Sequence, residues 1–570
     1  MIRHAAVALA ALSVAFPAFA QEAPPVVQAP LVQIVPPPAT GPQRPKQPGE
    51  FPPFDEVTKD MDSTPGLMTL YRHKPADATK DQTRLLAVVP KSLLKQDLLL
   101  AVNISRGDLA GFQYVDGLVR WEQVGRQLKL VAPDTRFIPR PGQPIDEAVQ
   151  RTYRPSYLFS LPIVTLSPQG DPVIDLGQAL FSSTPLVQLP QVGPGAQIRR
   201  EISQIDSAKS FPDNSLIDVD LAIAGRGGQG GTTMGISYAF RRLPDLRAYR
   251  PRQADERVGF FTTDRQDWSA KYTERETIER LVTRWDLKKK DPSLELSPPE
   301  KPITFIIDKS VPLQWRRYVA EGISEWNKAF ERIGISGAVV VQQQSDDNEF
   351  ANVDPADARY NFVQWTVRNT TLAVGPSRPD PRTGQILDAD IVIDDSWIRY
   401  YNEQNESFAP KAMLATLGGD TLRFLAENPA FLPPGMTIED VKSAVPAQSA
   451  ELIQSGRVPA AHTPFLPATH QCEMAIGMVQ QLAMGQLMGQ HAQAKGITKV
   501  PDHLIGSALK LLVMHEVGHT LGLRHNFKAS SWLPLEEVKK NRDAGLPFVA
   551  SVMDYAPLAF FADDDINKVR

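Results

Sequence analysis

The sequence predicts an α+β protein, with a β-rich N-terminal region followed by a mixed sheet that lies under two helices. Three observations predict it. Between Thr64 and Asp264 the chain consists of short β-branched or aromatic runs bounded by Gly, Pro, Asp or Asn. From about Lys301 it switches to a strand, a long amphipathic helix and three more strands. Near the end, one helical pattern runs through HLIGSALKLLVMHEVGHTLG.

The chain opens MIRHAAVALAALSVAFPAFAQEAPP, with Arg3 ahead of an apolar run from Ala5 to Phe16 and small residues at Ala18 and Ala20. This is the pattern of a cleavable export signal over residues 1–20, which implies a periplasmic or secreted product. A bilayer span needs roughly 20 apolar residues, and this run is shorter. Eleven prolines between Pro24 and Pro53 make residues 21–55 a Pro-rich linker. The strand signals LMTLY, TRLLAVVP, LLLAVNIS, LVRWEQVG, RQLKLVAP, YLFSLPIVTL, SLIDVDLAIAG and TTMGISYAF then fill a β-rich domain over 56–294. Within it GRGGQG, residues 225–230, matches G-x-G-x-x-G, with Asp245 beyond it. A dinucleotide site needs a helix after the glycines, whereas TTMGISYAF reads as a strand, so a hairpin turn is expected.

The second domain is expected over 295–570. PITFIID is its first strand, and VPLQWRRYVAEGISEWNKAFERIG its helix, with Pro312 near the first turn and Gly334 at the end. SGAVVVQQQ, RYNFVQWTV and QILDADIVID are the next strands, the last introduced by a turn at DPRTG, residues 380–384. Residues 397–500 read as a helical and looped insertion. It carries Cys472, the only cysteine, on a Met-rich helical pattern where a buried inert thiol is expected. A single cysteine excludes any intramolecular disulfide. The 61 basic against 65 acidic residues leave a formal charge of -4, so there is no global basic field to hold nucleic acid. Stable membrane insertion is not expected either, and the oligomeric state is not legible.

HEVGHTLGLRH, residues 515–525, concentrates three of the nine histidines. His515 and His519 lie one turn apart on the stripe that Ala508, Leu511 and Leu512 begin, so both imidazoles can share one ion. Neutral histidines suit Zn²⁺, and three protein ligands leave one position for water. Glu516 can then act as general base. His525 is too far along to share that helix face, but Gly522 permits a left-handed turn that swings it back. Chance gives H-E-x-x-H-x-x-G-x-x-H about 10⁻⁵ times in a chain of this composition. His462, His470, His491 and His503 have no partner at ligand spacing and are read as structural.

HEVGHTLGLRH resembles the zinc signature of the metzincin metalloproteases, and SVMDY, residues 551–555, resembles their Met-turn, in a form similar to that of astacins and serralysins. The organisation of the chain also looks like that of secreted bacterial zinc proteases whose N-terminal regions are domains of unknown function. The resemblance implies a zincin catalytic domain that hydrolyses peptide bonds. His515, His519 and His525 would be zinc ligands, Glu516 the base, Met553 the Met-turn residue, and Tyr555 the group that stabilises the oxyanion. It further implies that QILDADIVID is an edge strand holding an extended peptide or protein substrate, the alternative being an ordinary core strand. The carboxylates Asp388, Asp390, Asp394 and Asp395 on that strand read as a solvated face, and their spacing gives Ca²⁺ no support. Only APLAFFADDDINKVR follows Tyr555, too short for the helix that packs under a metzincin site. Either the Met-rich helix around Met478 and Met484 supplies that support, or the catalytic domain is truncated, the reading favoured here. The alternative function is a module that binds a surface polymer or protein and carries a structural, non-catalytic zinc.

Overall fold

The computed structural model describes residues 51–555, except 78, 107–112, 135–136, 138–141, 183–196, 225–230, 270–272, 274–276, 368–372 and most of 397–501. The expected export signal, most of the expected Pro-rich linker, GRGGQG, Cys472, the expected Met-rich helix, His462, His470, His491 and the tail after Tyr555 lie outside the described residues.

Eleven strands make one antiparallel sheet. They are β1 (Met61–Thr64), β2 (Thr69–His73), β3 (Leu85–Val88), β4 (Asp97–Arg106), β5 (Gln113–Val124) and β6 (Gln127–Ala132). Then come β7 (Ser156–Leu166), β8 (Pro172–Asp175), β9 (Gln204–Ser210), β10 (Asn214–Ala224) and β11 (Gly231–Arg242). Their order is β1-β2-β3-β8-β7-β6-β5-β4-β11-β10-β9. Alternation explains the strands: β10 buries Ile217, Val219 and Leu221 and turns Asp218 and Asp220 to the other face. The sheet curls until its ends meet, where Leu67 N–H donates to Phe211 O (2.7 Å) and the Ser210 hydroxyl to Met68 O (2.6 Å). Trp121, Tyr238 and Phe240 fill the enclosed core. β10 and β11 pair through Ala224 and Gly231, so GRGGQG joins two antiparallel strands and no helix follows it.

A hairpin of β12 (Thr262–Gln266) and β13 (Ile278–Val282) leads to the second sheet. Its strands are β14 (Ile303–Ile307), β15 (Val339–Gln343), β16 (Asn361–Thr366), β17 (Ala373–Val374) and, after the pair β18 (Ser377–Pro379) and β19 (Ile386–Ala389), β20 (Ile391–Asp394). The order is β15-β14-β16-β20-β17, parallel except for β17. The expected first helix is two, α1 (Leu313–Ser324) and α2 (Trp326–Arg332), divided at Glu325, whose carboxylate takes Lys328 and Lys510. Gly334 ends α2 at φ +85. α1 packs against α3 (Asp502–Thr520), and both share a core with the sheet through Val319, Ile323, Leu509, Val513, Phe305 and Ile393.

Two expectations are corrected here. QILDADIVID is not an edge: it breaks into β19 and β20, and β20 is paired on both sides, by β16 and β17. Among the described residues the edges of this sheet are β15 and the antiparallel β17. The carboxylates are not a solvated face either. Asp388 is buried between Arg241 of β11 and Arg378 of β18, which ties the eleven-stranded sheet to the β18–β19 pair, and Asp394 is buried and accepts from Ser396 N–H (2.8 Å). Charges so buried must be paired, which is why the residues that read as surface became a seam. The DPRTG turn forms as expected, with Gly384 at φ +75.

Candidate metal centre

The site grows from the end of α3. Val513, His515, Glu516, Val517 and His519 are all buried, because the helix enters the core between α1 and the sheet. Two glycines set its shape. Gly518 faces Met553 and Trp326: a Cβ there would lie 2.2 Å from the Met553 sulfur, so a side chain would displace the methionine. Gly522 has φ +97 and ends the helix, with Gly522 N–H donating to His519 O (2.9 Å) and Leu523 N–H to Gly518 O (3.0 Å). The chain reverses at this point, as its sequence implied, and brings His525 back towards the helix.

The three imidazoles converge. His519 Nε2 and His525 Nε2 are 3.1 Å apart, and one ring nitrogen from each of His515, His519 and His525 lies within 4.8 Å of the others. Among the described residues no fourth His, Cys, Asp or Glu joins this group. Each buried ring is held through its far nitrogen: His515 Nδ1 bonds Val552 O (2.8 Å) and His519 Nδ1 bonds Leu523 O (2.8 Å). That fixes the tautomer that leaves Nε2 available. His515 Nε2 is buried with no hydrogen-bond partner, as expected of a nitrogen that serves as a metal ligand. Burial, and secondarily His519, push His515 down to about 3, and burial also lowers His525. Neutral imidazoles are the form that binds Zn²⁺, so donors and geometry both fit it.

The 551–555 loop closes the base. Val552 O takes the His515 hydrogen bond, Met553 O accepts from Asn526 N–H (2.8 Å), and the Asp554 carboxylate accepts from Ser530 N–H (2.6 Å). Met553 is buried beneath Gly518. The Tyr555 ring lies 5.0 Å from that of His525 and 5.7 Å from that of His515. Glu516 is fully buried beside His515, and its carbonyl passes so near Gly375, just after β17, that a Cβ there would sit 2.5 Å from it. Thus the three histidines, Met553 and Tyr555 meet in one place, with Glu516 buried next to His515 in the chain. His503 is exposed and stands apart from the cluster.

Sequence reasoning missed three neighbours. Phe261 places its ring 5.8 Å from that of His519, Trp285 donates its indole N–H to Thr520 O (2.8 Å), and Phe527 stacks on His525 at 4.9 Å. Phe527 stands two positions after the last histidine and could have been flagged by that proximity; the other two are over 230 residues away in the chain and carry no local signal.

Residues 498–569 match the family described as Met-zincin, and residues 111–290 match a domain of unknown function (DUF5117). No curated protein and no solved structure matches the chain. The segment that bears the histidines and the 551–555 loop is therefore of Met-zincin type.

Proposed function

We propose, from the Met-zincin match over residues 498–569, that the chain is an exported zinc-dependent metalloendopeptidase. The observation that carries it is the convergence of three histidine nitrogens with no fourth ligand among the described residues. A structural zinc site closes its fourth position, whereas a catalytic one leaves it to water or substrate.

Zinc held by His515, His519 and His525 would supply a Lewis acid that polarises the scissile carbonyl and acidifies water. Glu516 takes the proton of the attacking water and returns it to the leaving amine. The Tyr555 hydroxyl donates to the oxyanion as it forms, for which its ring stands close to His515 and His525. A peptide backbone pairs with the side of β17 that no strand covers among the described residues, which runs beside Glu516 and offers affinity without strong sequence demands. Export rests on the opening MIRHAAVALAALSVAFPAFA. Among the described residues no helix is long and apolar enough to cross a membrane.

The test is hydrolysis of casein and of a quenched-peptide library by the purified chain, with and without a zinc chelator. Chelator-sensitive cleavage, restored by added zinc, supports the proposal. Zinc that is bound but supports no cleavage of any peptide points to the binding module with a structural ion.

A further inference from the structure

The turn that delivers His525 is held by a part of the chain far outside the Met-zincin match. Beyond Gly522 the backbone pairs with the stretch that precedes β12: Phe261 N–H donates to Gly522 O (2.8 Å), Arg524 N–H donates to Gly259 O (2.8 Å), and Phe260 faces Leu523 in an antiparallel bridge. Thr283 N–H donates to Phe261 O (2.9 Å) behind it, and the Thr283 carbonyl fills the space where a side chain on Gly522 would go. Two residues on, the Trp285 indole takes Thr520 O, a carbonyl at the end of α3 that the helix itself cannot satisfy, across 235 residues of sequence.

These links bear on the metal ligands. Leu523 O, which orients His519 through Nδ1, belongs to the same peptide unit as the paired Arg524 N–H, one residue beyond the paired Gly522 O. The Phe261 ring lies 5.8 Å from the His519 imidazole, tilted against it. The turn's own hydrogen bonds, from Gly522 to His519 and Leu523 to Gly518, end the helix but do not set the direction taken by 523–525. That direction decides whether His525 Nε2 arrives 3.1 Å from His519 Nε2 or elsewhere.

We propose that Gly259–Phe261 and Trp285, all inside the segment matched as a domain of unknown function, are positioning elements of the metal centre: they clamp residues 520–525 so that His519 and His525 meet at one ion. The N-terminal region thereby has a role in building the site. The proposal rests on the reading of the three histidines as ligands, and not on peptidase activity.

The test uses the full chain. Zinc affinity is measured by competition with a chromophoric chelator, and the visible spectrum of the Co²⁺-substituted protein is recorded. Trp285→Phe removes the indole donor and keeps the packing ring, Phe261→Leu removes the flat face and keeps apolar bulk, and Tyr157→Phe, at an exposed residue distant in sequence, is the control. Loss of partners that orient a ligand lowers metal affinity about 10-fold to 100-fold. The clamp predicts such a loss in both variants, with an altered Co²⁺ spectrum and an unchanged control. Wild-type affinity and spectrum in both variants overturn it, and if Phe261→Leu does not fold, Trp285→Phe decides alone. A wild-type chain that binds no zinc overturns the ligand reading and the clamp together.

Discussion

Gly522→Ala should unfold the site more than any other single-methyl change at a turn. Two costs add. At φ +97 an L side chain is strained by about 1–2 kcal/mol. The new Cβ would also lie 2.0 Å from the Thr283 carbonyl oxygen, a backbone atom held by the Gly259–Phe261 pairing, and forcing it aside costs about 1–3 kcal/mol. The sum, about 2–5 kcal/mol, is a large fraction of the roughly 5–15 kcal/mol that holds a folded chain together. Gly545→Ala provides the comparison, since Gly545 has φ +66 but nothing within 4 Å of its would-be Cβ, so it bears the torsional cost alone. Urea unfolding of the metal-free variants reads the difference: with a slope of order 1–3 kcal/mol per molar, Gly522→Ala should fall about 1 M below Gly545→Ala. Equal midpoints would show that the backbone beside Gly522 yields freely, and the argument that Thr283 braces the turn would fail.

Two other outcomes follow from the geometry. Tyr555→Phe should lower kcat several-fold or more with little change in KM, because a hydroxyl beside His525 contributes chiefly once the oxyanion exists; an unaltered kcat would leave Tyr555 a packing role. Burial, and secondarily Asp388, hold Asp390 up at about 6 against the pull of Arg378. Since the folded-state value is raised, the stability Asp390 contributes is fully present below about pH 4 and lost as pH rises through about 6. Asp390→Asn should therefore be near neutral at about pH 4 and stabilising at about pH 7.5; a difference in urea midpoint that does not vary with pH would contradict this.

Much of the architecture was legible because burial here follows simple periods. The eight strand signals correspond to β2, β3, β4, β5, β6, β7, β10 and β11, each with an apolar face of period two. The strands of the eleven-stranded sheet that escaped notice are of another kind, and β12, β13, β17 and β18 were missed as well. β1 (MDST) and β9 (QIDSAKS) are short of apolar residues because they close the curled sheet at its two ends, and β8 (PVID) is only four residues long. The metal ligands could be read because their spacing encodes a helix, a glycine turn and a return within eleven positions. What could not be read is what lies beyond local spacing. QILDADIVID looked like one strand until the backbone divided it between two sheets, and its aspartates looked solvated until Arg241 arrived from β11. Phe261 and Trp285 likewise reach the site only through tertiary pairing.

The central claim is that peptide hydrolysis occurs at the ion held by His515, His519 and His525, with Glu516 as the base. Glu516→Gln tests it most directly, when zinc content and peptide turnover are measured on the same preparation beside the wild type. The account predicts one zinc per chain in both proteins and a loss of about 10² to 10⁴ in rate in the variant, the usual contribution of a general base. A variant that retains its zinc and more than about a tenth of wild-type turnover would contradict it.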